Sequence, residues 1–201
     1  GATLTCGADC IDTQAISGSL AISMSTLEHA TSGSVISTMQ LVGAAVSVAK
    51  STVKGGIKFA DNVDADSTVA IDSVAFSGGL SVLKTTTGLW EGTLVVRKST
   101  MTGGTYGIVI QSSSTGTVKV IGTDFECSQH GIEFKGTTSG TVAIVGCEMN
   151  IATFNGIKTH DLGAVDFLVQ NCAISAADKA LNVGGTSAGA KLTLSDRKSV
   201  V

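Results

Sequence analysis

Pairs of apolar residues two positions apart recur along this 201-residue chain at a nearly constant spacing. Side chains two positions apart lie on the same face of a β-strand, so each pair predicts a short strand with one buried face. The pairs follow one another at intervals of 23 to 26 residues: Leu20/Ile22, Val46/Val48, Val69/Ile71, Leu94/Val96, Val118/Val120, Val142/Ile144, Phe167/Val169 and Leu192/Leu194. Such a regular interval indicates an internal repeat rather than a set of unrelated strands.

Two further apolar positions recur within the repeating unit. Seven residues after the start of each of the first seven pairs stand Leu27, Val53, Phe76, Met101, Phe125, Met149 and Ile174. A third set follows a small residue, in Gly56-Ile57, Gly79-Leu80, Gly107-Ile108, Gly131-Ile132, Gly156-Ile157 and Ala180-Leu181. The pattern predicts three short strands per unit, and we expect the small residue to mark a bend with positive φ or a close approach between units.

Short strands joined by turns at this period predict a coil that stacks on its neighbours and forms three parallel sheets around an apolar centre. From about Leu20 to Leu194 the coil period and core pattern resemble the right-handed parallel β-helices of the pectate-lyase-like superfamily. The resemblance implies an all-β fold, a single-stranded right-handed parallel β-helix (β-solenoid) of about seven to eight coils of ~24 residues. We expect one domain over residues 1–201, with an N-terminal lead-in segment at 1–18 and coils over 19–201.

The composition limits the classes of partner. Only 14% of the residues are charged and the net charge is −3, so we expect no basic surface for nucleic acid. No apolar run approaches the roughly 18 residues that a membrane span requires. The chain has no proline, which suits parallel strands whose backbone N–H groups are needed by the next coil.

Five cysteines leave at least one thiol outside any intramolecular disulfide. Cys147 and Cys172 stand at equivalent positions of neighbouring coils, where they form either a column with free thiols or a disulfide. Cys6 and Cys10 are close enough in sequence to close a small loop, and Cys127 is predicted in a turn. Cys10 or Cys127 is therefore a candidate for a bridge to another molecule. The cysteines and histidines lack the spacing of metal ligands, so we expect no metal and no cofactor.

The resemblance also implies an enzymatic alternative, since many proteins of this superfamily cleave acidic polysaccharides. Such enzymes need carboxylates stacked on one outer face, where they act as acid and base or as calcium ligands. Asp124 is predicted to lie above Glu148, with Glu126 nearby. A solvated edge is the simpler interpretation of these three residues. The stretch from Asp61 to Asp66 spaces oxygen ligands as a calcium site would, but it lacks the glycine and the distal glutamate of an EF-hand loop, so we interpret it as a polar turn. We predict no catalytic residue and keep a polysaccharide lyase or hydrolase, or a surface polysaccharide as partner, as an alternative.

Threonines form a predicted column on the outside of the first strand of four successive units. Flat arrays of threonine on a surface of low charge are a feature of some ice-binding β-solenoids, so ice binding is a second alternative. The neighbouring column is interrupted by Lys119 and contains no threonine beside these four. The residues concerned are Thr68, Thr93, Thr117 and Thr141.

The neighbouring column is small and apolar, which is typical of a surface that meets a partner. We place lateral contacts at Ala70, Leu89, Trp90, Val95, Ala143 and Leu168, with Leu89 and Trp90 predicted in an exposed turn. The third strand of each unit is predicted to be the hydrated face, with Lys58, Ser81, Val109, Glu133, Lys158 and Asn182 pointing outwards.

The repeat continues to the stretch from Lys191 to Val201 without a predicted capping helix. Uncapped strand edges favour stacking of one subunit on another. We therefore predict a non-enzymatic, extracellular or cell-surface structural subunit, a homo-oligomer or polymer. It would assemble into a filament, sheath or coat through uncapped ends and a lateral face of low charge.

Overall fold

Parallel strands stack into a β-solenoid of about seven turns in this computed structural model. It describes residues 2–7, 9–30, 34–59, 62–77, 81–85 and 88–195, with backbone alone at 39 and 81–85. Within these ranges the chain forms 22 β-strands and no helix. The all-β solenoid predicted from the sequence is confirmed.

The strands are short and evenly distributed along the chain. They are β1 Thr3–Cys6, β2 Ile11–Ile16, β3 Ser19–Ser23, β4 Thr26–His29, β5 Ser34–Leu41, β6 Ala45–Ala49, β7 Thr52–Lys54, β8 Gly56–Phe59, β9 Thr68–Asp72, β10 Ala75–Ser77, β11 Ser81–Thr85, β12 Thr93–Arg97, β13 Thr100–Thr102, β14 Tyr106–Ile110, β15 Thr117–Ile121, β16 Asp124–Cys127, β17 His130–Val145, β18 Glu148–Ile151, β19 Ile157–Gln170, β20 Ala173–Ala176, β21 Leu181–Thr186 and β22 Lys191–Ser195.

Each coil contributes one strand to each of three faces. The first face contains β3, β6, β9, β12, β15, the second halves of β17 and β19, and β22. The second face is the sheet β1-β4-β7-β10-β13-β16-β18-β20. The third face contains β2, β5, β8, β11, β14, the first halves of β17 and β19, and β21. Because β17 and β19 run from the third face onto the first without a break, these two faces are continuous.

The predicted core rows are in register. On the first face Val118 is paired with Leu94 on one side and Val142 on the other, and all three side chains are buried. On the second face the same holds for Phe125 between Met101 and Met149. Alternation with a period of two therefore places every second residue of these strands in one continuous apolar core.

Two details of the coil differ from the prediction. The backbone of Leu83, not Leu80, pairs with Ile57 and Ile108 on the third face. Leu80 itself lies outside the described residues. By the same register Ser81 pairs with Tyr106 and is not in the row of Lys58. The residue before Leu83 is Val82 and not a glycine, so the position counted from the nearest glycine in the sequence misplaces the strand.

The first coil begins earlier than predicted. Strand β1 pairs with β4 and β2 pairs with β5, both parallel. The segment 1–18, predicted as a lead-in, thus supplies two strands of the first coil.

A corner of repeated geometry joins the first face to the second. The corner residue has positive φ in seven coils, at Met24, Lys50, Ser73, Lys98, Gly122, Gly146 and Asn171. The next residue usually has a short side chain that forms hydrogen bonds with two backbone groups. Ser99 Oγ, for example, donates to the carbonyl of Arg97 and accepts from the N–H of Val74 in the preceding coil. These bonds satisfy the backbone groups that the left-handed corner takes out of the strand ladder.

The glycines before the third-face strands mark a close approach between coils. A Cβ atom on Gly107 would lie 2.5 Å from the carbonyl oxygen of Gly131, and one on Gly131 would lie 2.8 Å from that of Gly156. Neither glycine has positive φ. Of the two reasons predicted for a small residue here, the close approach is therefore the correct one.

Candidate functional site

Ionisable side chains cluster around Glu133 on the third face. Glu133 and Lys158 are register partners in β17 and β19. Lys135 and His160 follow two residues later in the same two strands, so all four side chains point to the same side of the sheet. The sequence pattern predicted this face to be hydrated, but Glu133 is buried, with 3% of its side chain exposed.

The carboxylate of Glu133 is surrounded by two lysines and a histidine. Its Oε1 atom lies 3.3 Å from Lys158 Nζ and 3.3 Å from His160 Nε2, and its Oε2 atom lies 3.6 Å from Lys135 Nζ. Burial raises the pKa of Glu133, but the hydrogen bond from His160 and the charges of Lys135, His130 and Lys158 outweigh it and hold the pKa below its usual value. A general acid at neutral pH needs a raised pKa, so the geometry favours an ion-paired carboxylate.

An aromatic stack adjoins this cluster. The ring of His130 lies between those of Tyr106 and Phe154, with centroid distances of 5.7 Å and 5.4 Å. Its Nδ1 atom accepts a hydrogen bond from the N–H of Asn155, and Lys135 Nζ lies 5.2 Å from the centre of the Tyr106 ring. Burial lowers the pKa of His130, and the nearby charge of Glu133 opposes this only in part. The stack and the ion pairs together bind β14, β17 and β19 across the outside of the third face.

The protein is expected to lose stability as the pH falls from 7 to 5, because His130 is buried in its neutral form. Its pKa is lower in the folded chain than the unfolded value of about 6.5. The stabilisation is therefore complete above that value and is lost as the pH falls through the folded-state pKa. The pKa of Glu133 is also lowered, which adds a further loss only below about pH 4.3. Urea denaturation at pH 7, 6 and 5 measures the free energy of unfolding at each pH, and hence the slope of stability against pH.

His130→Phe keeps a ring in the stack and is expected to remove most of the slope between pH 7 and 5. The matched control, His29→Gln, is expected to keep it. An unchanged slope in His130→Phe would assign the pH dependence to other groups.

The carboxylates singled out from the sequence are register neighbours on the second face. Asp124 pairs with Glu148, and Glu126 pairs with Asn150. All three carboxylates are exposed along a shallow depression. Over the ranges described above, no group of three or more His, Cys, Asp or Glu side chains is arranged to hold a metal ion.

Asp64, in the stretch from Asp61 to Asp66, accepts hydrogen bonds from the protein itself. Its two carboxylate oxygens accept hydrogen bonds from the N–H of Gly43, and Oδ1 accepts a third from Ser67 Oγ. The hydrogen bond from Ser67 lowers the pKa of Asp64. Asp61 lies outside the described residues. The carboxylate of Asp64 thus anchors a turn to the coil below it.

The threonine column is in register on the first face. Thr93 pairs with Thr68 and Thr117, and Thr117 pairs with Thr141. The column beside it contains Lys119 between Val95 and Ala143, with the lysine exposed. The molecule therefore presents one row of four threonines.

The small apolar strip beside the threonines is also in register. Its members Ala70, Val95, Ala143 and Leu168 are each half-buried by their neighbours. Leu89, in the turn before the first face, is half-buried too. Lys119 interrupts the strip between Val95 and Ala143.

Trp90 does not belong to this surface, contrary to the sequence-based prediction. Its side chain is 1% exposed, packs edge-to-face on Phe59 at 5.9 Å and donates from Nε1 to the carbonyl of Gly92. Its backbone forms parallel bridges with Val63 and Ser114. Trp90 is thus part of an additional buried row at the corner between the third and first faces, and it cannot contact a partner.

The cysteines give three different outcomes. Cys6 and Cys10 form a disulfide, so Cys10 is not free to bridge to another molecule. Cys127 lies at the end of β16 rather than in a turn, with its thiol buried in the core, and burial raises its pKa to about 12. It too is wrong as an intermolecular bridge, because a buried neutral thiol neither reaches nor attacks a partner.

Cys147 and Cys172 are stacked with free thiols, as one of the two alternatives predicted. The N–H of Cys147 donates to Cys172 Sγ at 3.5 Å, in the same corner geometry as the serines of other coils. The hydrogen bond between the thiols raises the pKa of Cys147 and lowers that of Cys172 to about 6. Structurally the pair replaces two of the corner hydroxyls.

The two end coils have unpaired strand edges within the described residues. Each of β1, β2 and β3 is paired on one side only, and so is each of β20, β21 and β22. Core positions are accordingly exposed there: Leu4 is 45% exposed, Leu192 40% and Leu194 62%. Equivalent positions in the central coils are buried. The ends therefore combine free backbone donors and acceptors with apolar side chains.

The described residues contain no helix with the length and the apolar character that crossing a membrane requires. Comparison of the chain with protein-family models, curated proteins and solved structures finds no match.

Proposed function

We propose that the protein is a non-enzymatic structural subunit, extracellular or at the cell surface, that self-assembles into a filament, sheath or coat. The observation that carries this proposal is that the first three and the last three strands have a partner on one side only among the described residues. Such edges, with Leu4 exposed in the first coil and Leu192 and Leu194 in the last, favour another strand and burial of the apolar side chains. A second subunit on each end provides both, and a contact between different ends propagates.

The first face offers a secondary, lateral contact. The strip of Ala70, Val95, Ala143 and Leu168 is apolar, half-buried and of low charge, which suits contact with another subunit. We also propose that the chain is related to the pectate-lyase-like superfamily. The coil period and the core pattern support this relationship, and it concerns the fold alone.

Sedimentation velocity and negative-stain electron microscopy over a range of protein concentrations test the proposal. We expect species of high mass that increase with concentration and appear as fibres or tubes. Leu194→Lys places a charge on the open end and is expected to shift the distribution towards monomer. Val42→Lys is the matched control, since Val42 is 44% exposed in a turn away from that end. A monodisperse monomer at every concentration would contradict self-assembly.

Ice binding is a second candidate, favoured by the threonine row in register. Parallel strands set Thr68, Thr93, Thr117 and Thr141 at a repeat of about 4.8 Å along the coil axis. Thermal hysteresis and the shape of ice crystals measure the activity, and Thr117→Lys should abolish it. Absence of hysteresis in the native protein would remove this candidate.

A further inference from the structure

The two ends of the solenoid match each other strand by strand. In the first coil the chain visits the second face with β1, the third with β2 and the first with β3. In the last coil β20, β21 and β22 visit the same three faces in the same order. The last three strands begin 170, 170 and 172 residues after the first three. The edges at one end therefore have nearly the same spacing around the coil as those at the other.

We propose that one copy of the chain docks head to tail on the next in register, with β1 on β20, β2 on β21 and β3 on β22. The inference rests on the proposed self-assembly and specifies its contact. The seam would repeat the step between two coils of one chain, so the solenoid would continue through it. All the strands at the seam would be parallel, as they are within the chain.

The core rows continue across this seam. The second-face row ends at Ile174 and would resume at Leu4 of the next copy, as Met149 is followed by Ile174 within the chain. The two first-face rows end at Leu192 and Leu194 and would resume at Leu20 and Ile22. Docking in this register buries the apolar side chains that are exposed at both ends. A shift by one residue would place them against outward positions instead.

The outward rows are compatible with the same register. Asp12 would lie beside Asn182, Thr5 beside Ser175 and Ser19 beside Lys191. None of these three pairs brings like charges together. A tail-to-tail contact, in contrast, would run the strands antiparallel, unlike every strand pair described within the chain.

Cysteine cross-linking tests the register. Ile22→Cys and Leu194→Cys would lie opposite each other at about 4.8 Å between Cα atoms, within the range that a disulfide accepts. Within one chain the two positions are seven coils apart, about 34 Å, so an intramolecular disulfide cannot form. Cys147→Ser and Cys172→Ser in the same chain remove the nearest competing thiols, and serine already occupies this corner in other coils.

The expected result is loss of the monomer band on mild oxidation, with a ladder of dimers, trimers and larger species that reductant reverses. The matched control is Ile22→Cys with Thr193→Cys, because Thr193 lies one residue away and faces outwards. Leu20→Cys with Leu192→Cys provides a second in-register pair should the first destabilise the fold, which circular dichroism reports.

The outcomes separate this inference from the proposed function. Assembly by sedimentation with no ladder, or with equal ladders for the in-register pair and the control, would overturn the register and leave self-assembly standing. Dimers from Leu194→Cys alone would indicate a tail-to-tail contact and would also overturn it. A monomer without cross-links would overturn both.

Discussion

Trp90→Ala is expected to lower the free energy of unfolding by about 3–5 kcal/mol, the usual cost of truncating a large buried aromatic side chain. The substitution removes the edge-to-face contact with Phe59 and the hydrogen bond to the carbonyl of Gly92. It also leaves a cavity at the corner where Val63, Trp90 and Ser114 form successive bridges. Chemical denaturation followed by circular dichroism measures the change.

Leu89→Ala is the control for this prediction, since Leu89 is the half-buried neighbour of Trp90 in the same turn. We expect a loss of less than about 1 kcal/mol, as is usual for a partly exposed site. If Trp90→Ala kept the stability of the native chain and instead weakened assembly, the tryptophan would be a contact residue and its burial in the corner would be wrong.

The burial of Trp90 illustrates what a period-two pattern cannot predict. The first-face strands were predictable because each contains two apolar residues two positions apart, repeated every 23 to 26 residues. The second-face strands were predictable because one apolar residue stands seven positions after the start of each of the first seven pairs. The row of Trp90 consists of single-residue bridges at Leu41, Val63, Trp90, Ser114 and Thr138, with uneven intervals. It has no alternation to detect, and the glycines on either side of Leu89-Trp90-Glu91 resemble an exposed turn.

Other differences have equally local causes. Cys127 continues the alternation of Phe125 in β16, a signal in the sequence that would have placed its thiol in the core. Glu133 is at an outward position, as predicted, yet is buried because Lys135, Lys158 and His160 extend over it from its own strand and the next. Periodicity reports the direction of a side chain, but it does not report the length of the neighbours that cover it.

The proposed contact depends on the same feature that made the fold predictable. Each coil of the repeat is a template for the next, so the first and last described coils present the kind of surface that every internal coil buries. The candidate cluster at Glu133, by contrast, lies between internal coils and its groups are largely paired with one another. The ends are therefore the part of the described structure with the most interaction capacity left.

Gly107→Ala is expected to destabilise the protein by about 3 kcal/mol, the upper part of the usual range for an overpacked core. The added Cβ would lie 2.5 Å from the carbonyl oxygen of Gly131 and 2.5 Å from the ring of Phe125. The carbonyl cannot move away, because β17, the strand that contains Gly131, is held in register between β14 and β19.

Gly18→Ala is the matched control, since a Cβ at Gly18 meets no heavy atom within 4 Å. It is expected to leave the midpoint of urea denaturation nearly unchanged or to raise it slightly, because alanine restricts the unfolded chain more than glycine does. Equal midpoints for the two variants would mean that the coil spacing at Gly107 can relax. In that case the close approach of coils would not be the reason for glycine at position 107. The stacking of coils would also be looser than the register of β11, β14 and β17 implies, and the proposed head-to-tail seam depends on that stacking.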